Sequence, residues 1–229
     1  MAQTKLLKDF LATVRDVHAT SGGTQETSFY TALNNLLDAA GLGLKPKVRC
    51  VMQLKNLGAG NPDGGLFTAD QFDRQTGAVK DLGSPARGVI EVKAPAEAVD
   101  DTDATGQISK YWDRYQLVLV TNLRDWLLIG ERAGQRVTLE RFCLAADETG
   151  FWALAEHPAK AQTVLGDAFP DFLTRVLLHN APLVDPKDLA ALLASYAREA
   201  RHRMDVAGKA ATQPLQALKK NLETALGMT

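Results

Sequence analysis

The chain has little that would staple or anchor it. Its 229 residues include two cysteines, Cys50 and Cys143. Far apart and unaccompanied, they exclude a disulfide framework and the paired spacing of a zinc site. Both read as reduced, buried thiols. No apolar run approaches the roughly 18 residues of a membrane span. The first ten residues carry Lys5, Lys8 and Asp9 where a secretory signal would be apolar. These absences predict a cytoplasmic chain with no membrane partner. There is no excess charge of either sign: 26 Lys and Arg face 27 Asp and Glu, a net charge of −1. No overall positive field advertises nucleic acid, although a local basic face is sufficient for binding it. His18, His157, His179 and His202 lack ligand spacing.

What is present is a large supply of core residues, 45% hydrophobic overall, enough for a sizeable buried core without staples. Leu6, Leu7, Phe10, Leu11, Val14 and Val17 recur at helical spacing over 4–19, and Phe29, Leu33, Leu36 and Leu37 mark a second helix starting near Thr24. From Lys47 the period becomes two, with Val48, Cys50, Met52 and Leu54 on one side of a strand. A glycine-rich turn over 58–65 leads to a short strand over 66–69, and 88–93 forms a third that Pro95 stops. A helix through Tyr115 follows, capped from Asp100, Asp101 and Asp103. Strands come next at 116–121, 125–130 and, peripherally, 137–142. Helices are expected over 159–179, 185–206 and 214–226. The order predicts a mixed α/β sheet flanked by helices, over 1–155, with a helical extension over 156–229.

The chemistry concentrates in Asn61-Pro62-Asp63-Gly64 and in Glu91-Val92-Lys93. Residues two apart on a strand share a face, so Glu91 and Lys93 project together while Ile90 and Val92 face the core. If the second and third strands form an antiparallel hairpin, Asp63 at the start of one lies beside Glu91 and Lys93 at the end of the other. Two converging carboxylates suit a hard cation such as Mg²⁺, with Mn²⁺ as a substitute. Such an ion polarises a phosphodiester oxygen and acidifies water, while a lysine steadies the nucleophile and the developing charge.

Pro62-Asp63 followed by Glu91-Val92-Lys93 resembles the PD-(D/E)xK nuclease superfamily, whose restriction-endonuclease-like fold is a mixed sheet flanked by helices. The resemblance extends to Gln107-Ile108-Ser109-Lys110-Tyr111, which matches a Gln-x-x-x-Tyr motif, and it implies a glutamate on an early helix, for which Glu26 is the candidate. It implies a Mg²⁺-dependent DNA endonuclease that leaves 5′-phosphate ends. Asp63 and Glu91 would hold the metal, Lys93 would activate water, Glu26 would assist, and Gln107 and Tyr111 would fix the substrate backbone. More narrowly, residues 1–150 are similar to the N-terminal nuclease module of single-chain restriction–modification enzymes of type IIG/IIL or type ISP. That similarity implies DNA, methyltransferase and target-recognition domains as partners.

Each residue also has a plainer role. Asp63 fits a turn that bonds its own backbone, Glu91 and Lys93 fit a solvated edge strand, and Glu26 fits a helix N-terminus. Gln107 and Tyr111 fit an ordinary amphipathic helix. Lys110 and Arg114 stand equally for phosphate contacts and for a solvated face, and Arg198, Arg201, His202 and Arg203 read first as a solvated face. Two other functions remain open: a nuclease-fold module that binds DNA or a partner without cutting, and a solitary RecB-like repair nuclease. Methyl transfer is not encoded, because Asn61-Pro62-Asp63-Gly64 lacks the second proline and the aromatic of an amino-methyltransferase signature.

Overall fold

The structure, a computed structural model, describes residues 5–20, 26–56, 58–80, 84–99 and 106–209, with 217, 220, 221 and 224. The six-stranded sheet runs in chain order: β1 (Val48–Met52), β2 (Gly64–Thr68), β3 (Val89–Val92), β4 (Val118–Thr121), β5 (Asp125–Arg132) and β6 (Gln135–Cys143). All neighbours are antiparallel except β3 and β4. A parallel pair needs a crossover, and α3 (Gln107–Tyr115) lies within it. The fold is therefore the expected mixed α/β sheet flanked by helices.

Alternation along the central strands feeds two separate cores. Ile90, Val92, Leu119, Trp126 and Leu128 join the larger one with α1 (Leu6–Thr20) and α2 (Tyr30–Leu42). Val89, Val118, Val120, Leu127 and Ile129 pack on the other face against Ile108, Tyr111 and Tyr115 of α3. Both faces of β3 are thus covered. An open edge for Glu91 is ruled out, since it is only 3% exposed.

Helices on both sides of residue 155 contribute to the larger core. A helix missed by periodicity, α4 (Glu148–Ala155), places Phe151 in the large core. The helix expected over 159–179 divides into α5 (Pro158–Leu165) and α6 (Ala168–Leu177) around Gly166. Ala161, Phe169, Phe172, Leu173, Val176 and Leu177 are buried in the same core. The larger core therefore extends to Leu178, and α7 (Pro186–Lys209) follows it. The caps at Thr24 and over 100–105 lie outside the described residues, as does most of the helix expected over 214–226. Cys50 is buried and Cys143 is exposed, so only one thiol is sequestered. No described helix is long and apolar enough to cross a membrane.

Ion pairs attach α7 to this unit. Arg198 donates to Asp171 of α6 at 2.6 and 2.8 Å. Arg203 pairs with Glu199 one turn back. Two members of the basic patch are thus engaged within the chain. Beneath them Arg175, 1% exposed, donates to Glu140 of β6 at 3.0 Å and to the Ser195 carbonyl at 3.4 Å. Removing one partner of such a pair strands the other charge in a poorly hydrated site. Arg175→Ala is expected to lower the unfolding free energy by about 3 kcal/mol. The companion change Glu140→Leu with Arg175→Met should recover most of that loss in urea titrations.

Candidate active site

The β2–β3 ladder is short, with register pairs Gly64–Ile90 and Gly65–Val89. Continuing it one step sets Asp63 opposite Glu91, and a further step sets Pro62 opposite Val92. Proline has no N–H, so a regular ladder cannot continue there. The Val92 N–H is taken instead by Asp63 Oδ2 at 2.7 Å. The Asp63 carbonyl accepts from the Gln53 N–H at 2.6 Å, just past β1, and its Oδ1 accepts from the Tyr30 hydroxyl at 2.5 Å. Asp63 is fixed on three sides, by β1, β3 and α2. Gly64 permits this close fit, because a Cβ there would lie 2.8 Å from Met52 Sδ and 3.2 Å from Ile90 Cδ1.

Glu91 emerges from β3 on the α3 side. Its Oε1 accepts from Lys93 Nζ at 2.6 Å, and its Oε2 from Gln107 Nε2 at 3.3 Å. Gln107 also donates to the Tyr111 hydroxyl at 2.9 Å. The one-turn spacing of Gln107 and Tyr111 therefore serves to bind the helix to the buried carboxylate. Tyr111 is 1% exposed. Burial pushes its phenol upward, as do the charges of Glu91 and Asp63, while the Gln107 bond acts the other way. The Tyr111 hydroxyl is held against the Gln107 amide. Gly60, at φ +104°, brings the glycine-rich loop over the Tyr111 ring, where an added Cβ would be 3.5 Å from Cε1.

Glu26 opens a 3₁₀ turn, Glu26–Phe29, directly before α2. Its side chain lies outside the described residues. Tyr30, four residues on, supplies the α2 contact to Asp63 that sequence reasoning missed. Its position beside Phe29 reads simply as another core aromatic, and nothing in the spacing marks its hydroxyl.

Among the described residues no three His, Cys, Asp or Glu side chains converge on one point. Mg²⁺ needs fewer, since it is held by one or two carboxylates and completed by water and substrate phosphate oxygens. Asp63, directly before β2, and Glu91 of β3 offer hard oxygen donors, a donor set that fits this ion. Two open clefts flank the site. One, of about 470 Å³, includes Tyr30, Gln53, Lys55 and Asp63. The other, of about 530 Å³, lies between Gly58–Gly60 and Lys110, Asp113 and Arg114 of α3.

No family model and no curated protein matches the chain. Among solved structures, a cryo-EM structure of a DrdV–DNA complex is similar at 24% identity and a TM-score of 0.42, over 68% of this chain and 96% of that one.

The Glu91–Lys93 pair is mostly withdrawn from solvent, with side-chain exposures of 4% and 22%. Lys93→Met is expected to cost about 2 kcal/mol of stability by leaving a buried carboxylate without its cation. Adding Glu91→Gln should restore at least half of the loss, measured by chemical denaturation of the single and double variants.

Proposed function

We propose that the chain is a Mg²⁺-dependent DNA endonuclease with a PD-(D/E)xK site. The observation that carries this reading is the bond from the Val92 N–H to Asp63, set beside the buried Glu91–Lys93 pair. It joins motif halves distant in sequence through an arrangement that neither a turn aspartate nor a solvated edge strand requires.

Asp63 and Glu91 would hold the metal ion, whose chemistry is to polarise a phosphodiester oxygen and acidify a water ligand. The protein's own groups do the rest. An ammonium has three donors, and one of those of Lys93 goes to Glu91. Lys93 thereby stays at the carboxylates, where it orients the attacking water and offsets negative charge developing on the phosphate. Gln107 holds Glu91 in place and Tyr111 holds Gln107. Glu26 assists the metal or the water. Lys110 and Arg114, on the rim of the α3 cleft, take phosphates flanking the cut.

The net charge of −1 fits a module that gains affinity and sequence choice from other domains. Methyltransferase and target-recognition domains, in the same or an associated chain, are the proposed source, as in the restriction–modification enzymes the sequence resembles.

Nicking of supercoiled plasmid tests the assignment. Mg²⁺ and Mn²⁺ should each support it, and Asp63→Ala and Lys93→Ala should each reduce it by at least about 100-fold. Gln107→Ala, which acts through Glu91, should cost about 10-fold. Full activity in pure Asp63→Ala protein would refute the site. Absence of nicking with every divalent ion, with or without partner domains, would leave a silent nuclease-fold module.

A further inference from the structure

We propose that Tyr30 is a positioning residue that sets the orientation of the Asp63 carboxylate for a divalent cation. The inference rests on the nuclease reading above and adds a residue that the sequence motifs do not contain.

The Asp63 carboxylate turns about a torsion with a broad, shallow profile, so its direction depends on what its oxygens bond. One donor would leave it free to swing. Here each oxygen has its own donor: the Tyr30 hydroxyl at 2.5 Å on Oδ1 and the Val92 N–H at 2.7 Å on Oδ2. The two donors come from different layers of the fold, a helix and the central strand. Together they define the plane of the carboxylate. A carboxylate oxygen accepts more than one interaction, so both oxygens retain capacity for a cation.

Tyr30 is well placed to act as a fixed donor. It is the first residue of α2, next to Phe29 at 1% exposure and three residues before Leu33 at 0%. Its own ring packs against the large core. The backbone and ring are therefore held by apolar burial independent of the hydroxyl. Tyr30 also lines the 470 Å³ cleft together with Asp63, so the bond lies beside open space that an ion or phosphate can enter. Donors that orient a metal-binding carboxylate influence affinity without touching the metal.

Tyr30→Phe removes one oxygen and keeps the ring. In the full chain, Mn²⁺ titration by calorimetry should show a dissociation constant about 10-fold or more weaker in Tyr30→Phe than in wild type. Half-maximal plasmid nicking should need correspondingly more Mg²⁺, and excess Mg²⁺ should restore most of the rate. A purely structural tie between α2 and the sheet would instead lower the melting temperature and leave the Mn²⁺ constant unchanged. That result overturns the proposal. Asp63→Ala separates the two levels of the reading. If wild type and Asp63→Ala bind Mn²⁺ equally, or neither binds it, the metal site itself is wrong and the Tyr30 role falls with it. If Asp63→Ala abolishes binding while Tyr30→Phe does not alter it, only the Tyr30 role is lost.

Discussion

A carboxylate taken out of water in the middle of a sheet governs the arrangement around it. Glu91 sits on β3, between an antiparallel and a parallel neighbour, with apolar residues of its own strand on either side. A lone charge in such a place is unstable by several kcal/mol or else neutralises. The fold meets that demand with Lys93 from the same strand face and Gln107 from the crossover helix. Because β3 and β4 are parallel, the chain must cross over between them, and α3 brings Gln107 to the Glu91 face. The topology and the chemistry are thus one constraint. A helix that returns the chain to β4 also supplies the donor that a buried glutamate needs.

The same economy holds at Asp63. The β2–β3 pairs end at Gly64 and Ile90, so the Val92 N–H lies beyond the last of them. Buried amides without a partner are rare because they cost about as much as a lost hydrogen bond. Asp63 Oδ2 fills the gap. The aspartate therefore has a backbone role: its side chain satisfies a donor past the end of the ladder. Tyr30 and Gln53 then complete the anchoring from two further elements.

Much of this was legible in the sequence and some of it could not be. Two-residue alternation gave Glu91 and Lys93 a common face, and helical spacing gave Gln107 and Tyr111 another. The antiparallel relation of β2 and β3 was a condition for bringing the motif halves together, and the register meets it. What alternation cannot reveal is what lies over a face. Glu91 therefore reads equally well as exposed, and only the β3–β4 crossover shows it covered. Tyr30 was invisible for a related reason, since an aromatic beside a buried stripe carries no mark of what its hydroxyl meets. The packing of α5 and α6 was equally hidden, because they are amphipathic helices like any in an extension. Phe169 and Phe172 belong to the main core through tertiary contacts with Phe10, Trp126 and Phe142.

Glu91–Lys93 and Glu140–Arg175 are both largely buried acid–base pairs, and they differ in the chemistry of the cation. Arg175, 1% exposed, meets Glu140 and a backbone carbonyl of α7, where a planar, permanently charged fork can engage several acceptors in fixed directions. Such a pair suits a joint between elements. Lys93 is different. Its ammonium is a compact charge on a flexible stem, and its side chain remains 22% exposed. It can hold Glu91 and still reach a water or a phosphate at the surface. An arginine in that position would serve the sheet as well, but its delocalised charge and rigid donor geometry would suit a small nucleophile less. The choice of lysine beside Glu91, and of arginine beside Glu140, therefore separates a pair whose cation is partly exposed on a flexible stem from one held rigidly within the fold.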